Sequence, residues 1–109
     1  MDIETRFYPR ISVDWDAVIR TSEGSLEVKI KDISLGGACI LYPVGYEFDE
    51  HLSIFLKPPG AKSVRVIAET VWSEKSDPEN RMMFKMGVRF LAISPEDREF
   101  IETFVEKEN

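Results

Sequence analysis

Two short segments carry the side chains best suited to chemistry. The first is Arg6-Phe7-Tyr8-Pro9-Arg10, in which two guanidinium groups stand four positions apart. Pro9 fixes its own φ and pushes Tyr8 toward extended geometry, so the segment reads as a stiffened entry loop and not a helix. Two arginines placed this way can act locally on a small anion. The plainer reading is a pair of solvated surface charges, since charged side chains are mostly exposed. The second segment is Asp32-Ile33-Ser34-Leu35-Gly36-Gly37. Its plain reading is a tight hairpin in which Asp or Ser bonds its own backbone and Gly supplies positive φ. The functional reading uses the same physics. Glycine lets another group approach the backbone closely, and Asp32 and Ser34, at i and i+2, can point to one side.

Composition limits what these residues can serve. The chain has 109 residues, enough for one domain with one core. Apolar residues make up 43% and charged residues 31%, which is ordinary globular usage. Fourteen basic against twenty acidic side chains give a net charge of −6. That balance argues against broad electrostatic binding to DNA, RNA or an anionic bilayer. The single Cys39 excludes an intrachain disulfide and a multi-thiolate zinc site. No apolar run approaches the roughly 20 residues of a spanning helix, and MDIETRFYPR lacks the apolar stretch of a signal peptide. The expectation is a soluble, cytoplasmic domain without membrane insertion.

The elements that must position the two segments follow from a period of two. Ile11, Val13, Trp15, Ala17 and Ile19 alternate with Ser12, Asp14, Asp16 and the exception Val18. The pattern recurs in Leu26, Val28 and Ile30, in Leu52, Ile54 and Leu56, in Val64, Val66 and Ala68, and in Met86, Val88 and Phe90. The stretch from Ala38 to Tyr42 has no strongly polar face and reads as a strand covered on both sides. Turn chemistry lies between the runs, at 21–24, at 58–60 and at 76–80. Six short strands so spaced predict an all-β, six-stranded antiparallel barrel over residues 11–91. The period changes once. Ser94-Pro95-Glu96-Asp97 has the marks of a helix start, and Phe100, Ile101, Phe104 and Val105 form an apolar stripe. A C-terminal helix over 95–107, packed on the barrel, is predicted.

Taken together, the two segments resemble the PilZ domain family, whose pattern is Arg-x-x-x-Arg followed some twenty residues later by Asp/Asn-x-Ser-x-x-Gly. Both halves are complete in Arg6 and Arg10, then Asp32, Ser34 and Gly37. The resemblance runs on through Ala68-x-x-Val71-Trp72 and Gly87-Val88-Arg89-Phe90 to the closing helix. It implies a single domain spanning 1–109, with 1–10 as an arginine-bearing arm, 11–91 as a split β-barrel and 95–107 as the closing helix, acting as a bacterial receptor for cyclic di-GMP. It further implies that Arg6 and Arg10 contact phosphate and base, while Asp32, Ser34 and Gly37 recognise guanine. The residue types suit that ligand. A guanidinium forks to a phosphate or to the O6/N7 edge of guanine, and a carboxylate complements the N1–H and N2–H₂ edge. Many family members carry a further arginine just before the first motif arginine, in company with a stacked pair of ligand molecules. Thr5 stands there in this chain and favours one ligand per domain.

The remaining candidates read as structural. Asp14 and Asp16 share a strand face as solvated charges, and His51, the only histidine, supports no His-rich metal site. Cys39 reads as a small buried hydrophobe. Trp15 reads as core, whereas Trp72 fits either a core position or a ligand surface. The sequence thus points to a non-catalytic receptor with no metal or other cofactor, responding to cyclic di-GMP and acting on a downstream protein partner. A ligand-independent protein-interaction module of the same fold is the alternative. A nucleic-acid-binding barrel and an enzyme stand further off, and a homodimer could use any exposed strand or the helix.

Overall fold

A computed structural model describes residues 9–43, 45–75 and 83–108. The elements are β1 (Ile11–Thr21), β2 (Gly24–Ile33), β3 (Gly37–Pro43), β4 (His51–Lys57), β5 (Val64–Lys75), β6 (Met83–Ile93) and the helix α1 (Pro95–Glu108). The predicted turn at 76–80 lies outside the described residues. Every strand pairing is antiparallel, and the strands close into a barrel in the order β1-β2-β3-β6-β5-β4.

The alternating residues make the core. Ile19, Ile30, Ile40, Ile54, Leu56 and Met86 are fully buried inside the ring. Burying each such side chain is worth about 1.5–3 kcal/mol in removed apolar surface. β3 is buried along nearly its whole length, in keeping with its lack of a polar face. α1 lies across the barrel through Ile101 and Val105, both buried, and through Phe104, whose ring meets Trp15 edge-on at 5.0 Å. Its start follows the sequence signal: the Ser94 hydroxyl accepts from Asp97 N at 3.1 Å, and Asp97 in turn accepts from Arg65 N at 3.3 Å, tying helix to β5.

Three interruptions of register matter more than the regular pairing. Along β2 the partners on β3 step from Ile30↔Ile40 to Asp32↔Cys39, so Lys31 is an extra residue. Along β5 the partners on β6 step from Thr70↔Val88 to Trp72↔Gly87, so Val71 is extra. Each bulge reverses the in-out alternation beyond it. As a result Ile33 is buried where strict alternation would bury Asp32, and Trp72 stands 42% exposed where alternation with Ala68 would turn it inward. A third shift in β6 makes Leu91 the extra residue and leaves it 45% exposed.

Candidate ligand-binding cleft

The bulges at Lys31 and Val71 place Asp32 and Trp72 at opposite ends of one cross-strand row. Asp32 pairs with Cys39, Cys39 with Gly87, and Gly87 with Trp72. The middle of the row is made of small residues, so the outer face of the sheet is hollow there. The resulting cleft has a volume of about 460 Å³, and Arg10, Asp32, Gly36, Trp72, Lys85 and Arg89 are among the residues around it. Charged pairs stand in the rows on either side: Arg89 with Glu69 at 2.8 Å, and Lys85 with Glu74 at 3.8 Å.

Arg10 and Asp32, 22 positions apart in the chain, meet in this cleft. The guanidinium Nη1 donates to Asp32 Oδ1 at 2.6 Å, with both side chains partly exposed. The contact uses one of the guanidinium nitrogens and one of the carboxylate oxygens. Each group keeps free hydrogen-bonding capacity for something entering from solvent.

The loop after β2 is built by Ser34. Its hydroxyl accepts from Gly36 N at 3.2 Å and Gly37 N at 3.1 Å, while Ser34 N donates to the Gly37 carbonyl at 2.9 Å. Ser34 is buried, so its hydroxyl is spent on the loop's own backbone. The glycines do not supply positive φ, contrary to the hairpin expectation: neither Gly36 nor Gly37 has it. Gly37 is required by close approach instead. A Cβ on it would lie 2.2 Å from the Val88 carbonyl oxygen, so only glycine lets β3 lie this near β6. Gly36 fastens the loop to the same strand by accepting from Phe90 N at 2.9 Å.

The structure therefore brings together Arg10, Asp32, Ser34 and Gly37, four of the five residues singled out in the sequence. Arg6 lies outside the described residues. Among the other cleft residues, Gly87 and Arg89 have no role readable from sequence, and Trp72 fits either a core position or a ligand surface there. The signal for Trp72 was present in the apolar doublet Val71-Trp72, which breaks strict alternation and marks the bulge.

Cys39 forms the floor, 8% exposed, and burial together with the nearby Asp32 carboxylate pushes its thiol pKa up. Asp14 and Asp16 lie elsewhere, on the outer face of β1, where Lys29 bridges them at 3.7 and 2.7 Å. The hydrogen bond and charge of Lys29 hold the Asp16 carboxyl below its usual range. No group of three or more potential metal-ligating side chains occurs among the described residues.

The family model of the PilZ domain matches residues 4–107. The chain belongs to the PilZ domain family. Among solved structures, this PilZ domain is similar to the Bacillus subtilis inhibitor of motility MotI (DgrA), with a TM-score of 0.81 at 20% identity over 94% of this chain and 50% of that one. It is similar to the Escherichia coli YcgR PilZ domain with c-di-GMP, with a TM-score of 0.75 at 19% identity over 94% of this chain and 90% of that one. The K. pneumonia MrkH–c-di-GMP complex gives a TM-score of 0.80 at 18% identity over 94% of this chain and 51% of that one. The chain thus spans about half the length of MotI and MrkH and most of the isolated YcgR domain. A search of curated protein sequences returns no match.

Proposed function

We propose that this PilZ domain is a non-catalytic receptor that binds cyclic di-GMP in the outer-face cleft. The observation that carries the reading is the meeting of Arg10 and Asp32, at 2.6 Å, over a hollow floored by Cys39 and walled by Trp72. Each part has a use for a guanine nucleotide. Arg10 offers a planar fork for phosphate or for the O6/N7 edge, and Asp32 offers an acceptor for N1–H and N2–H₂. Trp72 offers a flat apolar face against which a base can stack, and Arg89 adds positive charge at the neighbouring row. Ser34 and Gly37 act by setting the loop that holds Asp32 beside the hollow. Arg6 enters only through its place in the family motif, and two structures of similar fold, YcgR and MrkH, hold c-di-GMP.

On this reading the 1–10 arm closes over the bound nucleotide and presents an altered surface to a downstream protein partner, in a cytoplasmic domain that acts without DNA or RNA. Isothermal titration of the chain with cyclic di-GMP tests the binding. Saturable heat that Arg10→Ala weakens supports it, whereas no heat and no thermal shift at high ligand concentration would leave a ligand-independent interaction module. Amide exchange over residues 4–10 tests the arm, which should gain protection on ligand addition.

A further inference from the structure

The ring of strands is not closed over its full height. β4 pairs with β5 from Leu56↔Val64 to His51↔Glu69 and stops there, whereas β5 continues against β6 as far as Lys75↔Phe84. From Thr70 to Lys75, β5 has β6 on one side and, among the described residues, no strand on the other. All six residues are exposed, Val71 to 57%. An unpaired strand edge presents N–H and C=O groups that can take up another chain.

Beside this edge runs a groove of about 680 Å³, bounded by Thr70 and Ser73 of β5 and by Tyr46, Glu47, Asp49 and Glu50 of the segment before β4. The three loop acids are exposed, and Tyr46 is 49% exposed. Glu69 also borders the groove, but its carboxylate accepts from Arg89 on the cleft side. No lysine or arginine is among the groove's described lining residues.

We infer that the Thr70–Lys75 edge is a docking site for an extended, lysine- or arginine-bearing segment of a partner protein, added to β5 as a further strand. Main-chain pairing supplies attraction that is indifferent to sequence, and the loop acids select the sign of the side chains that reach the groove. Six residues give an edge of about 20 Å, the length of an ordinary strand. The same charges disfavour a second copy of this chain, which would bring its own Glu47, Asp49 and Glu50 toward an identical set. The groove and the nucleotide cleft share no lining residue: Val71, Trp72 and Glu74 line the cleft, while Thr70 and Ser73 line the groove. The inference stands whether or not the cleft binds nucleotide.

The test is an NMR titration of the whole chain with two strand-length peptides of about nine residues, one alternating lysine with valine and one alternating glutamate with valine. The lysine peptide is expected to shift and protect the amides of Thr70–Lys75, with affinity falling as salt is raised, and the glutamate peptide to leave them unchanged. The triple variant Glu47→Lys, Asp49→Lys, Glu50→Lys changes only exposed side chains and should keep its melting temperature while losing about tenfold or more in affinity for the lysine peptide. Equal responses to the two peptides, a footprint elsewhere on the barrel, or an affinity untouched by the triple variant would overturn the inference. So would sedimentation of the chain alone showing dimers that protect the same amides, since the edge would then belong to a second copy.

Discussion

The indole of Trp72 occupies the space above Gly87 in which a side chain would stand: a Cβ added there would lie 2.3 Å from Trp72 Nε1 and 2.5 Å from Cε2. The relationship is made by two separate features of sequence. The bulge at Val71 turns the tryptophan outward, and the absent side chain on β6 lets its ring lie against the backbone. Together they make a flat aromatic wall at the end of the row that begins with Asp32.

Gly87→Ala is therefore expected to displace the indole without unfolding the barrel. The ring is 42% exposed and can swing toward water, so the new methyl meets the movable end of a side chain. Tryptophan emission should shift to the red, with the buried Trp15 as an unchanged background. On the proposed reading, affinity for cyclic di-GMP should fall in the same direction as in Trp72→Ala, where losing a stacked base costs about 1–3 kcal/mol. Titration calorimetry and fluorescence on the two variants check this.

Gly37→Ala makes the opposite case. Its Cβ would meet the Val88 carbonyl oxygen at 2.2 Å, a backbone atom in a strand paired on both sides. Neither strand can yield without losing ladder bonds, so destabilisation of about 1–3 kcal/mol is expected. Urea unfolding should show a lowered midpoint for Gly37→Ala and a near-parental one for Gly87→Ala.

Ser34→Ala leaves the Gly36 and Gly37 N–H groups without the oxygen that now accepts from both. Ser34 is 4% exposed, so water does not readily replace the hydroxyl, and a cost of about 1–3 kcal/mol follows. Amide exchange at Gly36 and Gly37 should accelerate. Ligand affinity should fall through loss of the loop's shape, and Ser34→Thr, which keeps the hydroxyl, should recover part of both.

How much of this was legible beforehand divides along the period of two. Ile19, Ile30, Ile54 and Leu56 follow strict alternation, and their burial could be read directly from the chain. The helix start at Ser94 and the Ile101/Val105 face were equally plain, because capping chemistry and helical spacing are local. Asp32 and Ser34 were identifiable by type, and the family resemblance implied a part for each in guanine recognition, but their placement was not legible. Strict alternation from Ile30 places the Asp32 side chain inside, and only the extra Lys31 turns it out. Trp72 stayed unassigned for the same reason at Val71. A bulge is set by pairing with a strand far away in sequence, so its position is a tertiary fact that local periodicity does not hold. The need for glycine at 37 and 87 likewise comes from β6 and β5, not from any turn angle.

Arg10 and Asp32 form an ion pair whose partners are 40% and 30% exposed, so the bond itself contributes little to stability, on the order of 0.2–1 kcal/mol. Their effect on ligand binding should be larger. On the proposed reading Arg10→Ala costs about 2–5 kcal/mol of cyclic di-GMP affinity, since it removes a charge that the bound nucleotide desolvates. Asp32→Ala removes a guanine acceptor and also releases Arg10 from its present position. The two losses should therefore fail to add, and a double-mutant cycle measured by calorimetry should give a coupling well outside error. Additive losses would assign the residues independent roles.

Cys39 gives the pH dependence a defined sign. Burial first, and then the Asp32 charge, raise its thiol pKa above the usual 9.0. The folded state thus holds the proton more tightly than the unfolded chain does. The stability this contributes is fully present below the unfolded thiol's pKa and is lost as pH rises through the folded one. As pH rises through and above the ordinary thiol value of 9.0 the parent chain should lose more stability than Cys39→Ala does, with the two curves parallel well below it. Alkylation by iodoacetamide should report the same protection, running roughly tenfold or more slowly in the folded chain than in urea at one pH. If cyclic di-GMP covers the cleft floor, saturating ligand should slow that reaction further in the parent chain and have little effect in Arg10→Ala.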